Sequence, residues 1–162
     1  MEFQERYVYP APIEKVWEMF ANPAYSELRA KKLMMTDPQV RSTATDSEIE
    51  VTTTGGVPQG MLPAAAKRFI SPSTQVVLAE EWRRVGAGRI SGSLSVSAQG
   101  VPAGLTSTVV LEADGNQTNA VMKGDVKVQI PLLGRRLEAE AVKFAPELVK
   151  GERQTAEEFL AR

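Results

Sequence analysis

The stretch PLLGRRLEAEAVKFAPELVKGERQTAEEFLAR, Pro131 to Arg162, decides the fold. In it Leu133, Leu137, Ala141, Phe144, Leu148 and Phe159 fall at three- and four-residue steps, the period of one helix face. The other face is charged, with Arg136 and Glu140, Lys143 and Glu147, Arg153 and Glu157, and Glu158 and Arg162 as i,i+4 pairs. A helix over the whole run would be roughly 45 Å long, enough to cross a sheet. Such a helix needs a broad apolar partner. Pro146 removes one backbone hydrogen bond and costs about 3 kcal/mol in a straight helix. A kink there that keeps the helix against a curved surface is expected, with Gly151 adding flexibility.

The partner is written immediately upstream. Met122, Gly124, Val126, Val128 and Ile130 face one way, and Lys123, Asp125, Lys127 and Gln129 the other, until Pro131 stops the strand. Working back, Thr106–Ala113 pairs with it across the tight-turn dipeptide Asp114-Gly115. Ile90, Gly92, Leu94 and Val96 alternate with Ser91, Ser93, Ser95 and Ser97, and Gly86-Ala87-Gly88 turns the chain into that strand. Before it, Gln75–Arg84 alternates Val76, Leu78, Glu80 and Trp82 against Val77, Ala79, Glu81 and Arg83. Val40–Thr45 and Glu48–Thr54 read as a hairpin turning near Asp46. The segment from Gly55 to Ser73 is a long apolar connection with a small helical piece at Ala64–Phe69, and loops of that length are more often functional than accidental.

At the other end, Phe3, Tyr7 and Tyr9 share one side of a first strand. Pro12 suits the start of a helix whose inner face is Ile13, Val16, Trp17 and Phe20. Asn22 is a candidate N-cap for a second short helix that buries Tyr25 and Leu28 and ends near Lys31-Lys32. The order is therefore strand, two helices, six strands as successive hairpins, and one long helix. Strands gathered in a run with helices at the ends indicate an α+β class. The expectation is one domain, 1–162, with a curved antiparallel sheet whose apolar face the last helix covers.

Composition narrows the chemistry. At 162 residues, with 43% apolar and 24% charged, the chain has ordinary globular proportions for one domain. The net charge is -1 and the basic pairs are scattered, without the aromatic-interleaved stripe of a nucleic-acid binder, so no nucleic-acid partner is expected. There is no cysteine and no histidine, which removes disulfides, thiolate sites, the commonest metal ligand and the usual general base. No metal and no cofactor is expected. The opening Met1–Arg6 lacks the basic start and apolar run of a signal peptide, and no stretch approaches the ~20 apolar residues of a membrane span. A soluble cytoplasmic protein is the expectation. Three motif-like strings carry nothing: Gly86-Ala87-Gly88 leads into a strand, Gly55-Gly56 lacks the Lys of a phosphate loop, and Asn116-Gln117-Thr118 reads as a hairpin turn.

The opening Phe3–Phe20, with Ala11-Pro12 and Val16-Trp17, and the ending Lys127–Gly134 into a Glu-rich helix resemble the START-like, or Bet v 1-like, helix-grip superfamily (also called polyketide cyclase or SRPBCC) over essentially the whole chain. With Leu62-Pro63 to Phe69 and Glu80-Glu81-Trp82, the chain is similar to an actinobacterial family of unknown function within it. The resemblance implies a seven-stranded sheet wrapped around the last helix with an apolar cavity between them. It implies little about chemistry, because that superfamily spans lipid carriers, hormone receptors, cyclases and chaperone activators.

Candidate ligand-binding residues follow from the inward faces. Tyr7, Leu78, Glu80, Trp82, Leu94 and Met122 would line the cavity from the strands, and Leu137, Phe144 and Leu148 from the helix, with Gly92 and Gly124 leaving gaps. Met34, Met61 and Phe69 would form an adaptable entrance, since methionine repacks around irregular ligands. Glu80 is the sharpest case, because an inward carboxylate must be paired, protonated or met by a ligand. Its structural alternative is an ion pair at the rim with an arginine such as Arg68. Trp17 is assigned to packing away from the ligand and Trp82 to the cavity wall. Glu5, on the face of Phe3 and Tyr7, poses a weaker version of the question.

The leading reading is a non-enzymatic carrier or sensor of a hydrophobic small molecule or lipid. Beside it stand a cyclase- or hydrolase-like enzyme using cavity carboxylates, and a protein-interaction module using the 55–73 segment. Neither ligand identity nor oligomeric state is legible.

Overall fold

In the computed structural model, residues 1–62 and 64–162 are described; Pro63 and the side chain of Met61 lie outside the described part. The chain runs β1 (Glu2–Tyr9), α1 (Ile13–Ala21), α2 (Pro23–Lys32), β2 (Thr36–Ala44), β3 (Glu48–Gly56), β4 (Gln75–Gly86), β5 (Arg89–Ala98), β6 (Ala103–Asp114), β7 (Gln117–Val128) and α3 (Gly134–Leu160). The strands form one antiparallel sheet in the order β1-β7-β6-β5-β4-β3-β2. This is the α+β helix-grip arrangement that the sequence predicts.

Local chemistry explains the elements. Asn22 caps α2 by accepting a hydrogen bond from the Ala24 N–H at 3.0 Å, with Pro23 at the first helical position. Gly88 and Gly115 take positive φ of 66° and 59° in the two tight hairpins. β2 begins four residues earlier than the alternation suggests. Pro38 sits in it beside a register shift, tolerated because β2 is an edge strand whose outer side needs no ladder bonds.

The final helix starts at Gly134 rather than Pro131. Pro131–Leu133 form a turn in which Leu132 is left-handed (φ 68°), and the Gly134 N–H donates to the Ile130 carbonyl at 2.8 Å. A side chain at 134 would meet the Val128 carbonyl oxygen at 2.2 Å, so only glycine lets the helix leave the strand so closely. Pro146 lies inside the continuous helix.

The apolar stripe of α3 is not its most buried one. Val142, Ala145, Val149, Glu152 and Ala156 point to the interior, and α3 rests on β1 and β7. Ala141, Phe144 and Leu148 lie one step round the helix and remain exposed. The sheet is therefore covered in two parts. At one end α1 closes it, and Val16, Trp17 and Phe20 pack with Tyr9, Ile49, Val51, Trp82, Ile90, Val109 and Leu111 into the core. Arg84 fastens that closure, stacking 4.3 Å over the Trp17 ring while donating to both Glu14 carboxylate oxygens at 2.7 and 2.8 Å. At the other end the inward residues of the same strands face a cavity.

The inward glycines are not gaps. Trp82 stands opposite Gly92 across the β4–β5 pair, and Phe3 opposite Gly124 across β1–β7. A Cβ on either glycine would sit 2.3 Å from the facing ring, so each aromatic lies flat over its glycine. Gly151, by contrast, has nothing within 4 Å of a Cβ. Chemical denaturation should separate the two kinds of position. Gly92→Ala is expected to lower stability by about 1–3 kcal/mol through overpacking, whereas Gly151→Ala should raise it by about 0.5–1 kcal/mol as a relieved mid-helix glycine.

Candidate functional site

The cavity has a volume of about 490 Å³ and lies between the far ends of β4–β7, the first half of α3 and the segment joining β3 to β4. Its floor is the outer part of the inward stripes, including Val76, Val96, Leu105, Val126 and Val128. Leu137, Ala141, Phe144 and Leu148 form the helix wall, and Leu62, Ala66, Phe69 and Ile70 the opposite lip. Glu140 is the one charged residue among the described lining residues. Phe144 and Leu148 are 48% and 45% exposed, which means that no protein atoms fill the space in front of them.

A polar cluster lies deeper, beyond Leu148. The Arg29 guanidinium on α2 grips both carboxylate oxygens of Glu80 on β4, one at 3.0 Å and one closer, and lies 3.6 Å from Glu152 on α3. Glu152 accepts hydrogen bonds from the Tyr9 hydroxyl at 3.2 Å and from the Tyr25 hydroxyl. Side chains from β1, α2, β4 and α3 thus meet at one point. Burial opposes the charge on Arg29, but attraction from Glu80 and Glu152 outweighs it and holds the guanidinium well above its ordinary pKa. Burial first, then the charge of neighbouring groups including Glu152, pushes Tyr7, Tyr9 and Tyr25 above the ordinary value of 10.0. Every tyrosine of the chain is in this cluster. Both Glu80 oxygens and Glu152 Oε1 already have protein donors, and Glu152 Oε2 faces the Arg29 guanidinium at 3.6 Å.

The sequence-predicted residues are divided by this geometry. Phe69, Leu137, Phe144 and Leu148 line the cavity. Tyr7, Leu78, Leu94 and Met122 are half-buried on the inward face between cavity and core and do not line it. Glu80 is 4% exposed and bound to Arg29, so the expectation of a carboxylate at the ligand is corrected, as is the suggested partner Arg68. Trp82 is no cavity wall. Its ring stacks on Phe20 at 4.2 Å, nearly parallel at 8°, inside the core under α1. Met34 is 65% exposed at the end of α2 and lies away from the cavity. The side chain of Met61 lies outside the described residues.

Sequence reasoning passed over Arg29 and Glu152, although each carried a signal. Arg29 follows Tyr25 by four residues on the inner face of α2, and Glu152 falls on the stripe of Ala145, Val149 and Ala156. Among the described residues no three acidic side chains gather as a metal site would require, and no helix is long and apolar enough to cross a membrane.

Sheet and helices together form the α+β helix-grip fold, and solved structures share it. A protein from Thermus thermophilus superposes with a TM-score of 0.61 at 18% identity, over 99% of this chain and 97% of its own. A START superfamily protein from Mycobacterium smegmatis gives 0.56 at 14% identity, over 98% of each chain. Norcoclaurine synthase from Thalictrum flavum, solved with dopamine and hydroxybenzaldehyde, gives 0.59 at 8% identity, over 99% of this chain and 86% of the enzyme. At such identities the likeness is one of fold. Comparison with curated proteins finds no match. The chain belongs to the family described as Protein of unknown function (DUF2505), which matches residues 4–160.

Two measurements probe the cluster. Arg29→Met strands two carboxylates and should lower stability by about 3–5 kcal/mol, part of which Arg29→Met/Glu80→Leu should recover by removing one of them. The tyrosines report through pH. Their folded pKa values are raised, so the stabilisation is complete below 10.0 and is lost as pH rises from there towards the folded values, because only the unfolded chain ionises. Ultraviolet titration of the native protein should show no tyrosinate near pH 10, with the signal arriving together with unfolding.

Proposed function

We propose that the protein binds a hydrophobic small molecule or lipid in the cavity beside α3, as a carrier or sensor. The observation that carries this reading is the helix wall: Leu137, Ala141, Phe144 and Leu148 form an apolar stripe turned towards an open space of about 490 Å³. A row of large apolar side chains left unpacked is unfavourable in water, and its burial by a ligand would be worth roughly 25 cal/mol for each Å² covered. The volume falls within the ~300–1,000 Å³ common for small-molecule sites. Glu140 at the wall suits a ligand with one polar end, the remainder being hydrocarbon or aromatic. The norcoclaurine synthase likeness offers a precedent on this fold for aromatic guests, in that enzyme.

Carriage is favoured over catalysis by cavity carboxylates because Glu80 and Glu152 lie outside the lining and are held by Arg29, Tyr9 and Tyr25. The 55–73 segment supports the same reading rather than a separate interaction module, since Val57, Leu62, Ala66, Phe69 and Ile70 turn to the cavity.

Native mass spectrometry of purified protein, followed by extraction, should reveal a retained apolar compound. Ala141→Trp puts an indole into the cavity from an exposed position, so folding should persist while affinity for a fluorescent apolar probe falls tenfold or more. Unchanged probe affinity in that variant would remove the cavity from the account. Native tryptophan emission should stay silent on ligand addition, because Trp17 and Trp82 both sit in the core.

A further inference from the structure

We infer that the rim of the cavity docks on the surface of an anionic lipid bilayer. Three segments bound the mouth: the described residues 57–62 and 64–73, residues 98–104 and residues 127–136, each contributing lining residues. Two of them are joined directly, since the Gln129 N–H donates to the Pro102 carbonyl at 2.7 Å. Together the three hold Lys67, Arg68, Lys127, Arg135 and Arg136 and no acidic residue, in a protein whose net charge is -1. The rim is thus a basic surface on a chain that is otherwise acidic. Lys127 lies 3.6 Å from Asp125, outside these segments, and Arg136 lies 3.5 Å from Glu140, the single acidic residue of the described cavity lining. Lys67, Arg68 and Arg135 are exposed and make no ion pair among the described residues.

The apolar content of the rim is equally unequal. Leu132 is fully exposed, and its backbone is held in the left-handed region, where a leucine has neither a conformational reason nor a packing reason to be. Phe69, beside Arg68, is 40% exposed. Single apolar side chains projecting among lysines and arginines fit the interface of a bilayer, where the chains enter the acyl boundary and the cations meet anionic head groups. A folded protein partner would be matched better by a contiguous flat patch, and nucleic acid would gain nothing from Leu132. The geometry also opens the cavity towards the hydrocarbon, although docking itself needs no occupant in the cavity.

The test is sedimentation of the full chain with vesicles of phosphatidylcholine alone and of phosphatidylcholine mixed with phosphatidylglycerol. Binding is expected to the mixed vesicles, weakening as salt is raised. Each basic residue at such a surface contributes about fivefold, so Lys67→Gln/Arg68→Gln/Arg135→Gln should weaken binding about a hundredfold. Leu132→Asn keeps a residue that tolerates the left-handed backbone and should weaken it tenfold or more. Circular dichroism and melting establish that both variants fold, and probe binding in solution, which involves none of these four residues, should be retained. Absence of binding to mixed vesicles, equal binding to neutral ones, or undiminished binding by the triple variant would each overturn the inference. So would a wild-type protein that ignores vesicles but self-associates through Leu132. Loss of probe binding in wild type with vesicle binding intact would instead overturn the cavity reading and leave the docking surface standing.

Discussion

The buried Arg29 guanidinium is the contact on which the arrangement of helices depends. It bridges Glu80 on the sheet and Glu152 on the long helix, with Tyr9 and Tyr25 completing the coordination of Glu152. A charge in the interior is tolerable only when its partners are placed by the rest of the fold, so the cluster sets where α2 and α3 stand relative to β4 and β1. The hydrophobic core would accept several small displacements of these helices. A fork of hydrogen bonds to fixed carboxylates accepts far fewer.

Fixing the second half of α3 has a consequence for its first half. From Glu152 onward the helix is pinned to the core, with Thr155 and Ala156 buried; before it, the helix rests on β1 and β7 and leaves the strand ends of β4–β6 uncovered. The cavity is the space left between the long helix and a curved sheet. Side chains fill that space at the α1 end, where Trp82, Phe20 and Tyr9 are large enough, and leave it open at the other, where most of the inward strand residues are valines and alanines. Pocket and core are two ends of one continuous layer.

The two aromatic–glycine pairs belong to the same logic. Trp82 over Gly92 and Phe3 over Gly124 let large rings lie flat on a strongly curved sheet, and each ring occupies room that an inward side chain on the neighbouring strand would need. One pair sits in the core, and the Phe3 ring helps to form the wall of the cavity.

The sequence alone determined the element order, the antiparallel sheet, the long amphipathic helix and the inward stripe of nearly every strand, because those depend on local period, on turn residues such as Asp114-Gly115, and on caps such as Asn22. It also placed Phe69, Leu137, Phe144 and Leu148 on surfaces that line the cavity. Only the tertiary structure decided which part of each inward stripe is core and which is cavity. Trp82 and Val76 share one strand face and one alternation, yet they lie at opposite ends of the layer, the first beneath α1 and the second on the cavity floor. Position along a strand fixes a side chain's face; what covers that face depends on where a helix distant in the chain comes to rest. Glu80 shows the same division: alternation turned its carboxylate inward, and the partner that makes this tolerable, Arg29, comes from a helix 51 residues away.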